Sequence, residues 1–339
     1  MRRILMFVLL SVTLTSSQPA FSRDVLVVTT NWSGGTEQIL LIDPQFGQVR
    51  SLWHGRGGIG DAIVSPGGKW LYVTHHCSRA SCLSVVDTAS GEIVQTVEGP
   101  EFIRWIMPNA PGMAISPDGR WLHLLETNYQ QGSHDFFLRT FDTVQNQLLP
   151  DRRPVSGCGG AQIVPLGGRQ DVLLLCREEY RAPVPDPALA LSFPTMARGV
   201  TARGKLYVAL RDGRVLEIDT ATRQVLRSAQ SASLANLMPA SGTLSADGRL
   251  WYLPINRTRE DGPGIEQILV FDTVAMNAVA TITLEQPFWS LTLSSDGKEL
   301  YATMPKANSI AVIDTTTQDQ VRTLAIGTRP SFIQAAQAP

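Results

Sequence analysis

The richest concentration of metal-ligating side chains in this 339-residue chain is His75-His76-Cys77, with Cys82 five positions on. Imidazole and thiolate together ligate zinc or copper. Only Ser78-Arg79-Ala80-Ser81 separates the two thiols, and in an oxidising compartment so close a pair favours a disulfide over a metal site. There are four cysteines, Cys77, Cys82, Cys158 and Cys176, an even count that fits a disulfide framework. Their order pairs Cys77 with Cys82 and Cys158 with Cys176, because each pair flanks a turn. No metal is expected. The cysteine spacing is not Cys-x-x-Cys-His, so covalent haem attachment is not signalled. Gly-x-Ser-x-Gly, His-Glu-x-x-His and phosphate-loop patterns are missing from the sequence.

Whether cysteines oxidise depends on where the chain resides. It opens Met1-Arg2-Arg3, runs apolar from Ile4 to Leu14 and reaches Ala20-Phe21-Ser22. A basic start, a short apolar core and a small-x-small end predict a secretory signal peptide over residues 1–22. The apolar run falls short of the roughly 20 residues that span a bilayer, and no later segment is long and apolar enough to do so. The expected location is periplasmic or secreted, with no membrane span after cleavage. Removing residues 1–22 takes away two arginines and no acid, leaving 27 basic residues against 30 acidic, a net charge of −3. That balance gives no footprint for nucleic acid.

The elements that position these residues come from an internal repeat. One unit is a turn followed by an apolar strand: Ser65-Pro66-Gly67-Gly68-Lys69-Trp70-Leu71-Tyr72-Val73, again from Ser116 to Leu124, from Ser245 to Tyr252 and from Ser294 to Tyr301. Asp-Gly suits a tight hairpin, since glycine takes positive φ without steric cost. A second unit is a strand ending in Asp-Thr, as in Val85-Val86-Asp87-Thr88, Val270-Phe271-Asp272-Thr273 and Val312-Ile313-Asp314-Thr315. The Asp carboxylate can accept backbone N–H groups further along the turn, so these acids read as structural. The strands of the first unit begin near Asp24, Lys69, Arg120, Gln170, Gly204, Arg249 and Lys298. Seven copies of about 40–50 residues, each with four short strands, predict an all-β, seven-bladed propeller of antiparallel blades in one domain, residues 23–339. The first copy lacks an inner strand and the last has one to spare, Ser331-Phe332-Ile333-Gln334. The prediction is therefore closure, with the C-terminal strand completing the first blade and hiding a sheet edge.

Two stretches break the repeat. Phe102–Asn109 interrupts the path from the second blade to the third, and Tyr180–Pro187 lies where the fourth copy has no Asp-Thr unit. Departures from a repeat gather on one face and carry function. Arg104, Trp105, Asn109, Tyr180 and Arg181 are accordingly the candidate partner-binding residues. Trp70 and Trp121 occupy equivalent repeat positions, which reads as blade packing.

Leu71-Tyr72-Val73-Thr74, with Ser-Pro-Asp-Gly turns and Asp-Thr units, resembles the YVTN propeller family, with His75 where that motif has Asn. Within it, size, export, seven blades and Cys158…Cys176 across the fourth hairpin resemble the propeller subunits of periplasmic quinoprotein amine dehydrogenases. The resemblance implies a docking platform, with no cofactor in this chain and the quinone or haem on a partner, a small quinone-bearing subunit or haem protein. No family catalytic residue maps onto a position here. The alternative is a lactonase-like hydrolase working in the axial funnel of the propeller.

Overall fold

The computed structural model describes residues 24–30, 37–53, 58–77, 80–99, 112–128, 135–155, 158–166, 172–178, 190–193, 197–235, 238–239, 242–256 and 265–337. Each repeat folds on its own turn chemistry. In the third copy Ser116 Oγ accepts the N–H of Trp121 (2.9 Å) and donates to Asp118 (2.5 Å). Gly119 stands at φ +74°, which only glycine adopts without strain. The same serine-to-backbone bond recurs at Trp70, Leu250 and Glu299.

Seven sheets result. Blade 1 runs Pro330–Gln337, Asp24–Thr30, Ile39–Ile42, Val49–Ser51 from inside to outside. Blade 2 is Ile59–Val64, Trp70–Cys77, Ala80–Asp87 and Ile93–Gly99; blade 3 is Met113–Ile115, Trp121–Asn128, Asp135–Asp142 and Gln147–Val155. Blade 5 is Ala197–Ala202, Lys205–Leu210, Asp212–Asp219 and Val225–Ala235. Blade 7 is Leu291–Leu293, Glu299–Met304, Ser309–Asp314 and Gln320–Ala325. Blade 6 has a split inner strand: Met238–Pro239 and Thr243–Leu244 both pair with Leu250–Asn256, which is followed by Ile265–Asp272 and Asn277–Phe288. Closure is as the spare strand requires, with Val27 opposite Gln334 and Val28 opposite Ile333.

Blade 4 departs from the expected pattern. Among the described residues it has three strands, Cys158–Pro165, Val172–Glu178 and Ala190–Phe193, and the last pairs parallel, Leu174 opposite Ala190. A parallel neighbour needs a crossover connection of about a dozen residues. Glu178 and Ala190 bracket residues 179–189, the stretch without an Asp-Thr unit.

Alternation along each strand decides which blade a side chain meets. Val25 and Val27 pack with Ile59, Val64 and Leu71 of blade 2, whereas Leu26 and Val28 pack with Tyr301, Ile310 and Val312 of blade 7. Each of the seven junctions has its own apolar cluster, so the core is a ring of interfaces. The inner strands touch their neighbours all the way round, blade 7 meeting blade 1.

Candidate functional site

Antiparallel alternation gives the propeller two faces. The turn face carries the Asp-Thr turns and the hairpins of the first unit. Six repeat aspartates cap backbone N–H groups two and three residues on; Asp43 Oδ1 accepts from Gln45 (2.8 Å) and Phe46 (3.0 Å), and Asp314 Oδ1 from Thr316 and Thr317 (both 2.8 Å). Asp87, Asp142, Asp219 and Asp272 do the same. The threonine that follows binds the hairpin of its own blade: Thr88 Oγ1 donates to the Gly68 carbonyl (2.6 Å), Thr143 to Gly119 (2.8 Å) and Thr315 to Gly297 (2.8 Å). Arginines then tie blade to blade. Arg322 donates to Pro44 O (2.6 Å), Arg50 to the carbonyls of Thr88 and Ala89, and Arg227 to those of Thr273 and Val274. The repeated carboxylates are engaged as structural acceptors.

The opposite, loop face is where the inner strands begin. The threonine of the Tyr-Val-Thr strand works here. Thr74 Oγ1 accepts the N–H of Asp61 (2.9 Å), Thr303 Oγ1 that of Ser290 (3.0 Å) and Thr29 Oγ1 that of Phe332 (3.2 Å). Polar side chains on the inner strands bridge to the next blade. Asp61 accepts from Ala62 (2.9 Å) and from Met113 of blade 3 (3.1 Å). Gln162 accepts from Gly199 N and donates to Gly199 O of blade 5 (2.9 and 2.8 Å). Burial raises the Asp61 carboxyl to about 7, with the backbone N–H groups of Ala62, Met113 and Gly112 opposing the rise. Asp61 is thus a half-buried acid poised near neutrality at the loop-face end of the axis.

Cys77 and Cys82 are joined in a disulfide, Cα–Cα 5.9 Å, at the loop-face end of blade 2. Both thiols of the His-His-Cys cluster are therefore consumed. His75 lies edge-on to Trp53, ring centroids 4.7 Å apart, and its Nε2 bonds Ser84 Oγ (2.8 Å). Desolvation lowers its pKa. Cys176 is buried and disulfide-bonded; its expected partner Cys158 starts the adjacent strand, at a position whose side chain lies outside the described residues. Trp70 and Trp121 sit beneath Lys69 and Arg120 at 4.6 Å each, matching their equivalent repeat positions. Trp251 is core.

Arg104, Trp105, Asn109, Tyr180 and Arg181 lie outside the described residues. Of the strand ends that flank their segments, Gly99, Met113 and Glu178 stand at the loop face, whereas Ala190, paired parallel opposite Leu174, lies towards the turn face. The repeat reading missed Asp61, Gln162, Arg198 and Trp53. The available signal was a lone polar residue inside an otherwise apolar inner strand, as in Asp61-Ala62-Ile63-Val64. One glycine run, Gly55-Arg56-Gly57-Gly58-Ile59-Gly60, has the Gly-x-Gly-x-x-Gly spacing of a dinucleotide loop. Such a loop must open a helix, and here Ile59 and Gly60 begin the inner strand of blade 2, followed by another strand. The dinucleotide reading fails on that context.

No family model matches the chain, and no curated protein matches it. Solved structures similar to it include a functionally unknown protein from Desulfotomaculum acetoxidans, TM-score 0.64 at 11% identity over 94% of this chain and 100% of that one. A putative 6-phosphogluconolactonase from Bacteroides fragilis gives TM-score 0.58 at 13% identity, covering 93% of this chain and 98% of that one. The dihydro-heme d1 dehydrogenase NirN, in complex with DHE, gives 0.56 at 16% identity, with 93% of this chain covering 66% of that one. At such identities the likeness is one of fold, and with seven sheets closed by their terminal strands this chain is a seven-bladed β-propeller.

Proposed function

We propose that this chain is an exported binding and scaffold propeller, without catalysis of its own, that docks a partner on its loop face in the manner of an amine-dehydrogenase propeller subunit. The partner carries the redox cofactor, a quinone or a haem. The observation that carries this reading is the asymmetry of the two faces. Asp-Thr turns, serine hairpins and bridging arginines of the turn face bond to one another within the fold. The segment with Arg104, Trp105 and Asn109 joins strand ends Gly99 and Met113 on the other face, and Tyr180 and Arg181 follow Glu178, which ends there too. The Cys77–Cys82 disulfide is consistent with an oxidising, periplasmic setting. Co-purification from native periplasm tests it. A Arg104→Ala/Trp105→Ala double variant is expected to lose the haem- or quinone-bearing partner while melting like wild type. Equal capture by the double variant sinks the docking surface.

Asp61 supports a second reading, a lactonase-like hydrolase using the axial funnel. A carboxyl near pH 7 is matched to general acid or base work at neutral pH, and the fold is shared with a putative lactonase. Hydrolysis of a δ-lactone by the isolated chain, abolished in Asp61→Asn, would establish it; an inactive wild type excludes it.

A further inference from the structure

Arg198, the second residue of the inner strand of blade 5, is the anomaly of this fold. Its side chain is 2% exposed. Nη1 donates to the carbonyl of Ala197 (2.8 Å), and Nε is buried with no acceptor. Among the described residues no carboxylate pairs with it. Five other arginines of the blades are paired with carboxylates: Arg139 and Arg152 with Glu126, Arg227 with Glu217, Arg249 with Asp272, Arg322 with Glu299. A buried charge left without a counter-charge is among the costliest features a fold can carry.

The position is enforced by its neighbour. Gly199 has both backbone groups bonded to Gln162 of blade 4, and a Cβ there would sit 2.7 Å from Leu175. That side of the strand is closed. Alternation turns Arg198 to the other side, where Val200 and Ala202 pack with Trp251 and Leu253 of blade 6. A buried N–H without an acceptor, on an unmatched positive charge, selects one kind of ligand, an anion whose oxygens accept. Guanidinium pairs with carboxylate and phosphate through parallel N–H···O bonds.

We propose that the junction of blades 5 and 6 holds an oxyanion site built on Arg198, which takes one phosphate or carboxylate group at the loop-face end of the inner strands. Burial pulls the guanidinium down to about 10, so it remains charged at neutral pH. Anion binding at Arg198 needs no partner and stands or falls independently of the docking reading.

The test titrates the purified mature chain with inorganic phosphate and, separately, acetate, in a non-coordinating buffer at constant ionic strength with chloride as control. Calorimetry and melting temperature are read. Wild type is expected to bind one anion per chain saturably and to melt higher as it fills, with the tighter probe naming the group. Arg198→Met is expected to bind at least tenfold more weakly and, unliganded, to melt no lower than wild type. Arg198→Lys, which keeps the charge but loses the planar fork, covers the case in which the methionine variant does not fold; it too is expected to bind tenfold or more weakly. No saturable response to either anion in wild type, or equal affinity in the folded variant, overturns the proposal.

Discussion

Gln334, on the last strand, brackets Val64, on the inner strand of blade 2: its Oε1 accepts the Val64 N–H at 2.9 Å and its Nε2 faces the Val64 carbonyl at 3.5 Å. One amide side chain thus joins residues 270 positions apart and bridges the closing blade to its neighbour. Gln162 and Gly199 repeat the arrangement between blades 4 and 5. Gly68, at φ +74°, lets the chain end approach; a Cβ there would lie 1.8 Å from the Gln337 carbonyl oxygen.

Gln334→Ala leaves the N–H of Val64, a residue 1% exposed, without its acceptor. A buried donor left unmatched costs about 1–3 kcal/mol. Urea unfolding should show a lower midpoint at an unchanged slope. A variant as stable as wild type would mean that strand pairing alone secures the closure.

Asp61 should make stability fall as pH rises. Its folded pKa, about 7, lies above the ordinary 3.8, so the native state holds a proton that the unfolded chain releases. The contribution is complete below about pH 4 and is lost as pH climbs through 7. Asp61→Asn does not titrate, so wild-type stability minus variant stability should decline between pH 4.5 and 7.5. His123 works with the opposite sign. Burial and the nearby Arg153 lower it to about 4, so its contribution is present above pH 6.5 and lost towards pH 4. It is common to both proteins and cancels in the difference. A flat difference across this range would show that the Asp61 carboxylate is fully hydrated.

Replacing both Cys77 and Cys82 with alanine removes a cross-link between residues five apart. Loop-closure entropy for so short a loop is worth about 2 kcal/mol. The double variant should unfold at lower denaturant by up to that amount, with circular dichroism of the folded protein unchanged. An unaltered midpoint would place this disulfide outside the cooperative unit.

By itself the sequence determined the number of blades, their closure and the turn chemistry. These are short-range matters. Asp87 caps amides two and three residues on, Ser116 caps one five residues on, and an alternation of period two sorts Leu26 from Val27 into opposite junctions. Such interactions are written in local spacing, so the repeat announces them. The tertiary structure alone decided which inner-strand side chains meet. Asp61 reaches Met113 across 52 positions, Gln162 reaches Gly199 across 37, and Gln334 reaches Val64 across 270. No period relates these pairs, because each depends on how one blade is wedged against the next. The parallel strand of blade 4 and the burial of Arg198 arise in the same way. Arg198 is an ordinary surface residue type by sequence, and it becomes a candidate site because Gly199 locks one side of its strand against blade 4 and blade 6 covers the other.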